Sequence, residues 1–517
     1  MAPPRTSLLD PCSVPPYNPS RPWIVQKFGG TSISKFIRSI TSTIIPNHLV
    51  TNRIAVVCSA RSSETKSLGK TNRLLKAAAS ALVPGSTEFI KTVQDIRLDH
   101  LNAVQDNISN ATILRRVQNQ INHDCNQLHI FLKAIQTIEE MSVKSKDAIM
   151  AVGERLSCRI VAGILEDHQI ETQFVNLEAV IEAAFEPTAL DQNFYDYLPR
   201  VFASALSDCG HRLPVVTGFF GPVPGGLLKS IGRGYTDLAA ALLAVGLGAE
   251  ELQIWKEVDG IFTADPRKVQ GARLLDTITP EEASELTYYG SEVVHPFTME
   301  QVIRAHIPIR IKNVMKPNGS GTIIFPSQNR MGCLTAKSTP WTWREPLMDN
   351  GSHCAEWTRR CPTAVTVKDN IWVLMVQSNQ RSLSHGLLAD VFGMLDRHGI
   401  VVDLISASEI GVSIAMEGRV VEEREMGLVL SGLGSLGKVE VRKGRSIVSV
   451  VGRAMKSLQG VSGRIFSTVG RAGVNVEMIS QGVSETNISC VVAEGDALNA
   501  LCALHREFFF SDETSEL

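Results

Sequence analysis

Lys27 is next to last in an apolar run, Trp23-Ile24-Val25-Gln26-Lys27-Phe28, which is followed at once by Gly29, Gly30, Thr31 and Ser32. The run reads as a β-strand closed by turn residues. A glycine pair after a strand lets backbone N–H groups approach an anion closely, and Thr31 and Ser32 are residue types that cap a following helix. A lysine beside such a nest would add a point charge for a phosphate. The same residues also fit an ordinary strand–turn–helix with a solvated lysine, and on their own they do not decide between the two.

The elements around them show what would hold such a group. From Trp23 to about Phe325, short β-branched runs alternate with helical stretches; the runs include 53–60, 213–220 and 307–314. Between them lie long helical patterns, among them one spanning roughly 89–141. The alternation predicts an α/β domain with a largely parallel central sheet. Residues 327–362 have no sustained period and hold three of the six tryptophans, which reads as a connector.

Composition narrows the class. The chain has 517 residues, enough for two to four domains at roughly 100–200 residues each. Hydrophobic content of 44%, charged content of 20% and a net charge of −2 fit a soluble globular protein and give no sign of a nucleic-acid or membrane partner. The Pro-rich residues 1–22 lack the apolar core of a signal peptide and read as a disordered tail. Ten scattered cysteines, without a C-x-x-C pair, fit free thiols in the cytosol.

Beyond the connector lies an internal repeat. "VFGMLDRHGIVVDLIS" (391–406) matches "IFSTVGRAGVNVEMIS" (465–480), pairing Phe392 with Phe466, Gly399 with Gly473 and Asp403 with Glu477. Each copy reads strand, helix, Gly turn, strand, hairpin, so two ferredoxin-like units paired through their sheets are expected. Two nucleotide-like strings are set aside. "LGKTN" (68–72) has Glu64 where a phosphate-binding loop needs its first glycine, and "GLGSLG" (432–437) lies outside any βαβ unit.

A distributed constellation carries more. "KFGGTS" (27–32) is followed by "VVCSARSSETKSLGKTNRLL" (56–75), "AVGERLSCR" (151–159), "GRGYTDLAAALLAVGL" (232–247), "WKEVDGIFTADPR" (255–267) and "YYGSEVVHPFTMEQVI" (288–303), and then by the tandem repeat. In this order they closely resemble the aspartate kinases, in wording the fungal branch, over about residues 23–510. The resemblance implies an amino-acid-kinase fold over 23–326 and a connector at 327–364. Two regulatory ACT domains follow over 365–445 and 446–517, their chain paths interleaved. It implies transfer of the ATP γ-phosphoryl to the side-chain carboxylate of L-aspartate, the first step toward homoserine, threonine and methionine.

The residue types suit that chemistry. A free carboxylate is already ionised at cellular pH and needs no general base. The task is to bring an anion onto an anionic phosphate and neutralise the charge. The resemblance makes Lys27 the catalytic lysine, with Gly29, Gly30, Thr31 and Ser32 around the phosphates and Asp237 orienting the lysine. Glu154 matches the reader of the substrate ammonium and Arg233 the arginine that forks onto a carboxylate. Ser59 and Thr71 match pocket hydroxyls. Lys256, Glu257, Phe262 and Arg267 match ATP contacts, with Mg²⁺ carried by ATP oxygens and water. Ser384, Gly386, Leu388, Asp403, Ser408 and Glu409 match an amino-acid effector site, threonine in the fungal branch, in a homodimer or higher oligomer formed through the ACT domains.

Some residues depart from the pattern. Glu292 stands where bacterial relatives carry a lysine, and Lys70 where fungal relatives have a threonine. Gly411 takes a histidine position. The fungal branch shares the Glu292 change. The departures bear on effector response more than on catalysis, and those at Lys70, Gly411 and the connector suggest a paralogue serving a specialised metabolite. The competing readings are an inactive amino-acid-binding regulator of the same fold and another carboxylate or carbamate kinase.

Overall fold

The structure, a computed structural model, describes residues 18–62, 70–183, 185, 190–232, 234–288, 294, 296–325, 362–378, 384–408, 411–418, 423–453, 455, 458–481 and 486–510. Arg233, Glu292, Glu409 and most of the tail and connector lie outside these residues, as do the side chains of Lys70, Thr71 and Ser384. The chain divides into two compact units. The first draws on Met1–Gly260, Asp276–Pro280 and Val294–Pro326; the second on Ile261–Leu275, Glu281–Val293 and Ser327–Leu517.

The first unit is built on eight strands: β1 (Trp23–Phe28), β2 (Arg53–Cys58), β3 (Thr172–Leu177), β4 (Leu213–Phe220), β5 (Glu251–Lys256), β6 (Thr277–Ile278), β7 (Ile309–Asn313) and β8 (Thr322–Ile324). They form one sheet in the order β3-β4-β2-β1-β5-β7-β8-β6, parallel except between β7 and β8. A parallel sheet is covered on both faces, which explains why all eight residues of β4 and five of six in β1 are buried. Helix Tyr235–Leu247 packs against β1 and β4, and it is apolar almost all round because it is enclosed. Gln26 is a polar residue inside this core. It donates to Gln253 Oε1 (2.9 Å), which also accepts from Trp255 Nε1 (3.2 Å), so the paired strands carry their own polar ladder.

The stretch expected as one long helix over 89–141 is two, Glu88–Gln105 and Ala111–Ile138. The apolar period runs on through the break, but Asn110 restarts the helix: its side chain accepts from the N–H groups of Thr112 and Ile113.

The second unit holds β9 (Ala364–Ser378), β10 (Leu404–Ser408), β11 (Gly411–Glu417), β12 (Gly437–Val451), β13 (Met478–Gln481) and β14 (Asn487–Ala493) in one antiparallel sheet, ordered β10-β11-β9-β12-β14-β13. The repeat is visible in it: helix Ser384–Arg397, β10 and β11 in the first copy answer helix Val461–Arg471, β13 and β14 in the second. The long strands β9 and β12 serve both copies. Leu374 and Val376 pack with Val391 and Val429, whereas Val365 packs with Val448, Ile465 and Leu504. Near the midpoint of both strands, Asn370 (φ 59°) and Gly444 (φ 68°) take left-handed conformations and the pairing shifts register between Arg442 and Ile447. Asparagine and glycine are the residues that accept that conformation at low cost.

Candidate active site

The carboxyl ends of adjacent parallel strands are where ligands bind in open α/β sheets. Lys27, next to last in β1, pairs in register with Val57 of β2 and Ile254 of β5, at the centre of the sheet. It is only 7% exposed, and its Nζ lies 2.6 Å from Asp237 Oδ1 in the first turn of helix Tyr235–Leu247. Lysine is thus held by a carboxylate, with no freedom to sweep through solvent.

After β1 the chain passes through Gly29, extended at the helix N-cap, into helix Gly30–Lys35, whose opening N–H groups have no acceptor within the helix. Gly30 is fixed by close backbone approach: a Cβ there would fall 2.0 Å from the carbonyl oxygen of Ala60, and Ser62 N–H donates to Gly30 O (3.2 Å). Thr31 and Ser32 do not cap the helix, which has no side-chain cap at all. Instead Thr31 Oγ1 bonds Ser62 Oγ (3.0 Å) and Ser32 Oγ donates to Glu257 Oε1 (2.6 Å). These bonds tie the glycine turn to the loops after β2 and β5. Ser59 N–H donates to Phe28 O (3.1 Å), and Lys256 O accepts from Val314 N–H (2.9 Å), so both loops leave the sheet in fixed directions.

Glu154 lies in the middle of helix Val143–Asp167 and is 1% exposed. One oxygen accepts from Thr236 Oγ1 (2.8 Å), one residue before Asp237. Burial pushes its carboxyl up to about 7, against the opposing pull of Thr236, the Phe219 N–H, the Tyr235 hydroxyl and the Lys27 charge. Burial, with Glu154 beside it, also raises the Tyr235 hydroxyl. The pocket around Glu154 depends on a residue that sequence reasoning missed. A Cβ at Gly218 would fall 2.2 Å from Thr236 Cγ2 and 3.0 Å from Glu154 Oε2. A glycine inside the apolar strand "LPVVTGFF" was the available signal for that close approach. Thr236 and Tyr235 were missed too; only the fold brings them to Glu154.

The structure therefore brings together Lys27, Gly29, Gly30, Thr31, Ser32, Ser59, Glu154, Asp237, Lys256 and Glu257 within the first unit. Phe262 and Arg267 belong to the second unit, where Arg267 is 88% exposed at its side chain and paired with Asp265 (2.9 Å). Among the effector candidates, Asp403 Oδ1 accepts from Lys368 Nζ (2.8 Å) and its side chain is 3% exposed. Gly386 and Leu388 are exposed on helix Ser384–Arg397. Ser408, whose Oγ donates to Gly411 O (3.3 Å), lines a groove of about 310 Å³ with Ser406, Ser413, Lys438 and Glu440. Among the described residues, no helix is long and apolar enough to cross a membrane.

Comparison with known proteins identifies the family. The amino acid kinase family profile matches residues 22–313 and an ACT domain profile matches 448–508. The chain is 47% identical to an aspartokinase of Schizosaccharomyces pombe, covering 95% of this chain and 93% of that one. It is also 47% identical to an aspartokinase of Candida albicans, covering 93% and 89%. The chain belongs to the aspartokinase family. The structure of E. coli aspartokinase III with lysine and aspartate superimposes with a TM-score of 0.73 at 27% identity, covering 94% of this chain and 99% of that one. In this family the amino-acid-kinase fold is followed by ACT domains, and the chain is a kinase with both.

Proposed function

We propose that the protein transfers the γ-phosphoryl group of ATP to the side-chain carboxylate of L-aspartate, forming 4-phospho-L-aspartate. The observation that carries the proposal is the Lys27–Asp237 pair at the carboxyl end of the central strand, with the buried Glu154 beside it. Lys27 supplies a fixed positive charge to the phosphoryl group in transit, and the N–H groups after Gly29 add neutral donors. The P–O bond to the departing ADP breaks as the carboxylate oxygen forms its bond to phosphorus, and no proton need move. Glu154, ionised, accepts the substrate's α-ammonium, while Arg233 forks onto its α-carboxylate.

Lys256 and Glu257 face the nucleotide at the end of β5, with Phe262 and Arg267 following in the chain. The site carboxylates Asp237 and Glu257 are already engaged by Lys27 and Ser32. That fits a Mg²⁺ ion that arrives on the phosphate oxygens and keeps its waters. Initial rates of ADP release with L-aspartate, L-glutamate and carbamate as acceptors test the assignment. Aspartate should exceed the others by about 10²-fold or more, since the unpaired polar groups of the site reject a misfit; equal rates would refute it.

Control by L-threonine through the ACT sheet is the second part of the proposal, in a homodimer or larger oligomer formed through that sheet. Residues 405–408 of the edge strand β10 are exposed, leaving an edge that a second copy could cover. The pairing of Asp403 with Lys368 means that an effector ammonium must compete with an internal cation. Threonine is therefore expected to inhibit weakly. Titration by calorimetry and by initial rate checks this, and tight binding with complete inhibition would contradict it.

A further inference from the structure

The segment Ile261–Leu275 carries Phe262 and Arg267, assigned above to ATP, and it is built into the core of the second unit. Ala264 and Val269 are buried with Val448, Val450, Ile465 and Leu504. Thr263, next to Phe262, is bonded on every side. Its N–H donates to Arg273 O (2.9 Å), its carbonyl accepts from Val365 N–H (2.8 Å) and its Oγ1 accepts from Arg273 N–H (3.0 Å). The same Oγ1 lies 2.9 Å from Nε2 of His505, on the C-terminal helix Ala497–Phe509.

His505 is fully buried. Phe509 stacks on its ring at 4.8 Å and Phe510 meets it edge-on at 5.5 Å. Phe510 in turn closes over Gly271 (φ 85°), where a Cβ would fall 2.1 Å from Phe510 Cζ. Nδ1 of His505 has no hydrogen-bond partner among the described residues. A buried imidazole with one nitrogen unpaired is a poor choice for stability alone, because phenylalanine would fill the same aromatic stack without that cost.

We propose that His505 is a positioning residue for the nucleotide: through Thr263 it seats the Ile261–Leu275 hairpin on the C-terminal helix, so that ATP affinity depends on the second ACT unit. The inference rests on the assignment of Phe262 and Arg267 to ATP. Full-length His505→Phe, Thr263→Val, the double variant and His505→Gln are compared by steady-state kinetics with each substrate varied, alongside melting temperatures. His505→Phe and Thr263→Val should each raise the KM for ATP by about 2- to 12-fold, the worth of one net hydrogen bond. The double variant should be no worse than either single one, the KM for aspartate should stay constant, and His505→Gln should recover most of the loss. A lower melting temperature with both KM values unchanged would make the bond purely structural and overturn the proposal. Phe262→Ala and Arg267→Ala separate the two readings. A KM for ATP that responds to them and not to His505→Phe overturns the positioning role alone; a KM that responds to none of these variants overturns the assignment of the hairpin to ATP.

Discussion

Lys27→Ala should lower kcat by about 10²–10³-fold or more, the loss seen when one fixed donor to a developing charge is removed. It should also lower the melting temperature. Lys27 is nearly buried and Asp237 is 13% exposed at its side chain, so removing the lysine takes a 2.6 Å ion-pair partner from a largely buried carboxylate. Breaking a fully buried pair costs about 3–5 kcal/mol, and the residual exposure of Asp237 brings the expected cost to the lower end of that range. The paired variant Lys27→Ala with Asp237→Ala should regain much of the melting temperature and none of the turnover. Stability and kcat measured on the single and double variants separate the two roles of the lysine. Near-normal turnover in a folded Lys27→Ala protein would remove it from the chemistry.

Glu154→Gln should weaken aspartate and strengthen the fold. A charged contact to an ammonium is worth about 1.5–3 kcal/mol, so the KM for aspartate should rise roughly 10- to 150-fold. The stability change has the opposite sign because burial raises the folded carboxyl to about 7 from 4.5. Between those values the folded state holds a proton that the unfolded state has released. The penalty is thus absent below about pH 4.5 and fully present above about pH 7, where it amounts to about 3 kcal/mol. The glutamine variant should melt higher than wild type at about pH 8, and the advantage should shrink as pH falls through 7. In wild type the KM for aspartate should rise over the same fall in pH, as the ionised form is lost, and it should be flat in the variant. An unchanged KM at about pH 8 would show that Glu154 does not read the ammonium.

The limits of reading this fold from its residues are specific. Strands β1 and β4 follow their apolar runs residue for residue because a parallel sheet buries both faces, and nothing local competes. The repeat announced two paired ferredoxin-like units, because a pattern copied along the chain stays visible in the sequence. Periodicity could not show the break before Ala111, where one capping asparagine decides. Nor could it show that Thr31 and Ser32 bond loops 31 and 225 positions away rather than their own helix. Lys27 was legible as a strand-end cation from its own residues, whereas Asp237 was tied to it only through the family resemblance, since the packing of a helix on β1 makes the pair. Asp403 read as an open carboxylate; the register of β9 supplies Lys368 and closes it. At Gly411, where the fungal pattern has histidine, a Cβ would fall 2.9 Å from Val376 O, so restoring a side chain there would require the strands to shift.

The most direct test of the central claim traps the product. An acyl phosphate reacts with hydroxylamine, whereas a phosphate ester or free phosphate does not. The purified protein is incubated with ATP, Mg²⁺, L-aspartate and hydroxylamine, and ADP and hydroxamate are measured together. Transfer to the side-chain carboxylate predicts one β-aspartyl hydroxamate for each ADP, with both lost in Lys27→Ala. ADP released without hydroxamate, or hydroxamate formed equally well from glutamate, would contradict the assignment.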